Sequence, residues 1–212
     1  MLVFLICLLI CIVSHELGHM IVALLCGVKV EAFSIGFGKV LLHKKLWGID
    51  FRLSLIPLGG YCRLAGEKGK SKTGWLTKRY IKKLAIVLAG VTVNLLIAFL
   101  CYYINYKSIK IGLFIDFSII KTLLTKNYDE LLRLLLSANA NLFLIQLSIM
   151  NLFAFLTNVI PFPALDGGFI WLLPLERIYK EKFPEFLDRI TKIGFVALIV
   201  LQIALLYWIW FV

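Results

Sequence analysis

Four stretches of this chain, about 2–26, 84–104, 142–160 and 193–211, are too long and too continuously apolar to sit in the core of a soluble domain. Each is close to the roughly 20 residues that an α-helix needs to cross the ~30 Å hydrocarbon layer of a bilayer. The composition agrees: 61% of the 212 residues are hydrophobic and 17% are charged, against about 45–50% apolar and 25% charged in soluble domains. The expected fold is therefore an all-α membrane protein of about four transmembrane helices, with 1–212 forming one membrane-embedded domain. The first stretch has no basic segment before it and no small-residue cleavage site, and it carries His15, Glu16 and His19. It is expected to stay as a span and not to be removed as a signal peptide.

The net charge of +11 is concentrated in one place. Between Lys29 and Lys83 stand 13 basic and 3 acidic residues, a local net of +10. A basic block between two apolar spans marks a cytoplasmic loop beside anionic lipid. No nucleic-acid-binding motif accompanies it, so nucleic acid is not an expected partner. Four spans with the first loop inside put both termini outside. The connections 107–141 and 171–192 carry net charges of +2 and +1 and add little to that orientation. The five cysteines are odd in number, form no CxxC pair and lie mostly in apolar sequence. They read as small buried thiols, not a disulfide framework.

The first loop also carries a strand pattern. Ile49, Phe51, Leu53 and Leu55 alternate with Asp50, Arg52 and Ser54, the period of a strand with two unlike faces. Further strand-like sequence lies at 33–37 and 40–42, and Gly36, Gly38, Gly48, Gly59 and Gly60 mark turns. A small antiparallel sheet or hairpin within a β-rich loop, 30–64, is expected to dip toward the membrane. Its edges must pack on protein or line a wet cavity, because bare strand edges cannot face lipid. Tyr128, Leu131, Leu132 and Leu135 recur at helical spacing and predict an amphipathic surface helix over 128–136. A mixed-charge stretch, 176–188, predicts a solvated helix on the inner side.

The chemistry is concentrated in His15-Glu16-Leu17-Gly18-His19. In a helix the two imidazoles of HExxH lie one turn apart on one face and can converge on a metal, with the glutamate placed to take a proton from metal-bound water. A chance match is the bland alternative. Inside an apolar span, however, ionisable side chains are costly and mark functional sites by default. Cys7 and Cys11 share the four-residue spacing, but each such step drifts about 40° and rises about 6 Å, so Cys7 cannot reach a metal at His15 and His19, and Cys11 is a poor ligand. A third ligand is required. Asp166 is the one acidic residue between Glu130 and Glu176, and it follows a helix broken by Pro161 and Pro163 and precedes Gly167 and Gly168. It reads either as a ligand delivered by a broken helix or as an ordinary helix terminus with a turn.

Taken together these residues resemble the site-2 protease family of membrane-embedded zinc metalloproteases. HExxH falls in the first span, FSIGFG at 33–38 and IPLGGY at 56–61 match membrane-dipping β-segments, Gly90 followed by Asn94 resembles a second-span pattern, and 158–168 matches an Asn…Pro…Leu-Asp-Gly signature. The resemblance implies that His15, His19 and Asp166 bind Zn2+ and that Glu16 activates the water. It implies that Asn94 and Asn158 hold the substrate backbone or the oxyanion. Leu53, Leu55, Gly59 and Gly60 would present a strand edge to an unwound substrate. The implied activity is endopeptidase cleavage of single-span membrane proteins, either releasing a regulator or clearing signal-peptide remnants, in a bacterial cytoplasmic membrane. A regulatory membrane partner fits the same picture. Two departures stand out. Val91 occupies the place of the usual proline, and the connection 107–141 is too short for the PDZ domains of many relatives, so the helix at 128–136 is a candidate for screening substrates. The rival readings are a membrane HExxH protease using Glu176 or Glu181 as third ligand, and a metal transporter or inactive scaffold. A transporter should show several polar sites along a path, and an inactive relative should have lost Glu16 or a ligand.

Overall fold

The computed structural model of the protein describes residues 2–66, 74–124, 141–179 and 182–211. Helix α1 (Leu2–Leu25) leads into strands β1 (Val30–Leu46) and β2 (Ile49–Leu64). A 3-10 turn, Trp75–Thr77, precedes α2 (Tyr80–Tyr106), and α3 (Ile109–Leu124) and α4 (Leu142–Val159) follow. The short α5 (Asp166–Leu172) runs through a 3-10 turn, Leu173–Leu175, into α6 (Glu176–Tyr179) and then α7 (Phe183–Phe211). Among the described residues, α1, α2 and α4 are long and apolar enough to cross a membrane. They coincide with the first three expected stretches, and 193–211 lies inside the 29-residue α7.

Two expectations are corrected. The stretch 176–188 is not one solvated helix. It is divided between α6 and the first turns of α7, and Phe183 and Leu187 turn into the core. The connection 107–141 opens with α3, whose 16 residues were not anticipated as a helix. Lys107, in the left-handed region at φ 55, ends α2 and lets the chain turn into α3. The helix expected over 128–136 lies outside the described residues.

Helix α2 is the centre of the bundle, packing against α1, α3, α4 and α5. Small residues set the closeness of its crossing with α1. A Cβ on Gly18 would come within 2.8 Å of the Ala89 carbonyl oxygen and 2.9 Å of Val93 Cγ2. Such close backbone approach is how helices associate in lipid, where no hydrophobic force drives them together. The thiols of Cys7 and Cys11 line the seam with α4, near the carbonyls of Phe143 and Met150, and all five cysteines are free.

The two strands pair antiparallel in one sheet, joined by a two-residue turn at Trp47 (φ 51) and Gly48 (φ 79). Both strands bend, so one residue can be paired on two sides. Ser34 faces Tyr61 and Arg52, and Ile35 faces Gly60 and Leu53. The bend at Gly36 (φ 89) brings its backbone against the carbonyls of Ser54 and Ile56, where a Cβ would sit at 2.9 Å. The base of the sheet joins the core through Val30, Phe33, Ile49 and Leu64, packed with Ala23, Ile86, Trp75 and Phe183. Farther along, Leu42 and Leu55 are 67% and 58% exposed, while Ser34 and Ser54 are buried and hydrogen-bonded to each other at 3.2 Å. Lys39, His43, Lys44 and Lys45 are exposed along the same strand, so this end of the sheet presents a mixed apolar and basic surface. A Cβ on Gly60 would meet Glu16 Cγ at 2.9 Å and Ile12 Cγ2 at 3.3 Å. The sheet therefore descends beside the middle of α1, about 13 Å below that helix's C-terminal end at 1.5 Å per residue.

One buried ion pair ties the chain that follows α5 to α2. Lys83 Nζ donates to Glu176 Oε1 at 2.6 Å and to Oε2 at 2.5 Å. The lysine side chain is 4% exposed and the glutamate 29%. Removing one partner of a buried pair strands the other charge. Glu176→Gln is therefore expected to cost about 3 kcal/mol of stability. Lys83→Met should cost less, because the freed carboxylate reaches solvent. Thermal unfolding in detergent checks the order of the two.

Candidate metal centre

The crossing of α1 and α2 leaves room for two imidazoles because position 90 has no side chain. A Cβ on Gly90 would lie 2.8 Å from His15 Nε2 and closer still to His19 Nε2. The two Nε2 atoms stand 3.1 Å apart. Asp166 reaches them from the other side. After α4 the chain passes Pro161 and Pro163 in a tight turn, with the Leu165 N–H donating to the Phe162 carbonyl and Ala164 at φ 117. Gly167 and Gly168 allow this turn, since a Cβ on either would run into the carbonyls of Val159, Ile160 or Phe162. The first residue of α5 is thereby pressed inward, and Asp166 Oδ2 lies 3.2 Å from His15 Nε2 and 3.3 Å from His19 Nε2.

The His19 Nδ1–H donates to the Ile86 carbonyl at 2.7 Å, which leaves Nε2 as a lone pair aimed at the other two atoms. Asp166 Oδ2 is buried without a hydrogen-bond donor. The lone pairs of His19 Nε2 and Asp166 Oδ2 converge with His15 Nε2 at 3.1–3.3 Å, an arrangement that a cation among them would stabilise. A tetrahedral zinc with arms of about 2.0–2.1 Å separates its ligand atoms by about 3.3 Å. The donor set and spacing therefore fit zinc. Among the described residues, His15, His19 and Asp166 form the cluster able to hold a metal ion.

The other expected residues fall at varied distances from this centre. Glu16 follows the first ligand, with its carboxylate in electrostatic reach of both histidines and Asp166 and receiving the Cys62 backbone N–H. Asn94, on α2 and buried, places its amide 3.2 Å from His15 Nδ1. Asn158 donates to the Ala154 carbonyl of its own helix at 3.0 Å and shows no contact with the three ligands. Gly59 lies against the Phe37 ring and Gly60 against Glu16, both on the stretch of β2 beside α1. Leu55 is exposed there. Leu53 is paired with Ile35 on one side and Leu42 on the other, so it sits inside the sheet and offers no free edge.

The rival ligands are placed elsewhere. Glu176 is held by Lys83, and Glu181 lies outside the described residues. Cys11 points at α4. The site also uses residues that the sequence reading did not single out as functional. Gly90 gives the imidazoles their space and the Ile86 carbonyl sets the His19 tautomer. A backbone carbonyl carries no sequence signal, whereas Gly90 was visible in the second-span pattern with Asn94 but without a role.

The family model for peptidase family M50 matches residues 3–201. The chain belongs to that family, the site-2 protease family of zinc metalloproteases. A Helicobacter pylori (strain ATCC 700392 / 26695) protein named "Putative zinc metalloprotease" is 50% identical over 96 residues, 42% of this chain and 28% of the relative. A Chlamydia pneumoniae protein similarly named is 39% identical over 111 residues, 46% of this chain and 18% of the relative. Protease RseP of Yersinia pestis is 39% identical over 110 residues, 49% of this chain and 24% of the relative. In each case the matched stretch is less than a third of the relative's length.

Proposed function

We propose that this protein is a zinc-dependent intramembrane endopeptidase that cuts single-span membrane proteins within or near their transmembrane segments. The observation that carries the reading is the convergence of His15, His19 and Asp166 beside Glu16, about halfway along an apolar helix. Bound there, a zinc ion would polarise the scissile carbonyl and lower the pKa of a coordinated water. Glu16 accepts the proton of that water and returns it to the leaving amine. The Cys62 N–H holds the Glu16 carboxylate between the sheet and the ligands.

A substrate helix hides its amides in its own hydrogen bonds, so it must unwind before attack. The stretch of β2 from Leu55 to Gly60 meets Glu16 at Gly60, and an unwound substrate adds to it as a strand. Asn158 is left as the candidate for holding the substrate backbone or oxyanion. In this reading 193–211 of α7 is a fourth span, the basic loop is cytoplasmic, both termini are outside, and the protein works in a bacterial cytoplasmic membrane as one domain. The substrates are membrane proteins awaiting release of a regulator or clearance of signal-peptide remnants, with a regulatory membrane partner governing access.

Purified protein incubated with a panel of single-span proteins tests this. Products mapped by mass spectrometry should end inside or beside the transmembrane segment. A zinc chelator should stop cleavage, and added zinc should restore it. Cleavage confined to soluble regions, or indifferent to chelation, would refute the reading.

A further inference from the structure

Asn94 has an unusual position for a residue expected to touch substrate. It is 1% exposed, on the α2 face turned toward α1. Its amide meets His15 Nδ1, the ring nitrogen pointing away from Asp166. The two ends of an amide have nearly the same shape and opposite hydrogen-bonding character. With Nδ2 toward the ring at 3.2 Å, Asn94 donates, Nδ1 accepts, and the ring proton sits on Nε2, which stands 3.1 Å from His19 Nε2. Asn94 Oδ1 is then buried with no partner. With the amide turned by half a rotation, Oδ1 accepts from Nδ1–H, and Nε2 becomes a lone pair.

We infer that Asn94 is a positioning residue that sets the tautomer of His15, its amide oxygen accepting from Nδ1–H so that Nε2 is left as a lone pair for the metal. The inference rests on the zinc reading above. Each histidine then has its own device. His19 is held permanently as a metal ligand by a backbone carbonyl, which can only accept. His15 is held by a side-chain amide, whose oxygen selects the same tautomer. Aspartate could serve only the metal-bound tautomer, and leucine neither. Partners of this kind orient ligating histidines in metal sites generally, and their loss typically costs about 10- to 100-fold in metal affinity.

Zinc affinity, measured by chelator competition on the full chain in detergent, tests the inference with two variants. Asn94→Leu, close in volume, is expected to weaken zinc binding about 10- to 100-fold. Asn94→Asp keeps the acceptor and is expected to hold zinc at least as tightly as the wild type. That rescue separates positioning from a packing role. Should the leucine variant fail to fold, the aspartate variant still decides, since a tenfold loss of affinity there overturns the inference. Unchanged zinc affinity in both variants, with KM or kcat altered, would instead place Asn94 on the substrate and also overturn it. A wild-type protein that binds no zinc would remove the functional reading itself, and the inference with it.

Discussion

Glu16→Gln is expected to lose about 10²- to 10⁴-fold in peptide-bond hydrolysis, the usual contribution of a general base, while keeping its zinc. Glutamine has the same shape as glutamate, so the contact of its side chain with Gly60 persists and its amide oxygen can still receive the Cys62 N–H. His15, His19 and Asp166 are untouched, and their mutual distances do not depend on position 16. What is lost is the ability to take a proton. Single-turnover cleavage of a single-span substrate, with zinc determined on the same samples, checks both halves. Retained hydrolysis would remove Glu16 from the chemistry. Lost zinc would make it a structural neighbour of the ligands.

Gly90→Val is expected to strip the site of metal. Even the first carbon of the new side chain would fall 2.8 Å from His15 Nε2 and 2.7 Å from its Cε1. Two escapes exist, and both are costly. Moving α1 away from α2 would break the close packing of Gly18 on the Ala89 carbonyl. Turning the imidazoles would cost His19 its hydrogen bond to Ile86. Either way the two Nε2 atoms no longer converge with Asp166. Zinc content should fall to background, and hydrolysis with it, while Thr92→Ala on the exposed face of the same helix should leave both unchanged. Full zinc occupancy in Gly90→Val would mean that the metal is held elsewhere.

The parts of this site that were legible in the sequence are those whose physics is local. HExxH places two imidazoles on one helical face whatever surrounds them, and three apolar stretches match α1, α2 and α4 within a few residues. The Pro161–Gly168 turn was readable as a broken helix, and its consequence for Asp166 followed only because glycines permit the backbone to close on itself. Alternation at 49–55 announced a strand with two faces. It could not announce the order of the ladders, which is why Leu53 looked like an edge and lies between two partners. Glu176 looked solvated because it opens a stretch of mixed charge. Its partner, Lys83, is 93 positions away. Helix α3 escaped because Lys110, Asp116 and Lys121 interrupt an apolar run of only 16 residues, too short to read as a span. The partners of the metal ligands were the least visible, since a carbonyl has no sequence identity and an asparagine near a histidine can serve either the ring or the substrate.

X-ray absorption at the zinc edge, on protein purified without chelator, tests the central claim most directly. The account predicts about one zinc per chain, with two imidazole nitrogens and oxygen ligands at about 2.0–2.2 Å and no sulfur. A sulfur shell at about 2.3 Å, or a well-folded protein that carries no zinc and takes none up, would contradict it.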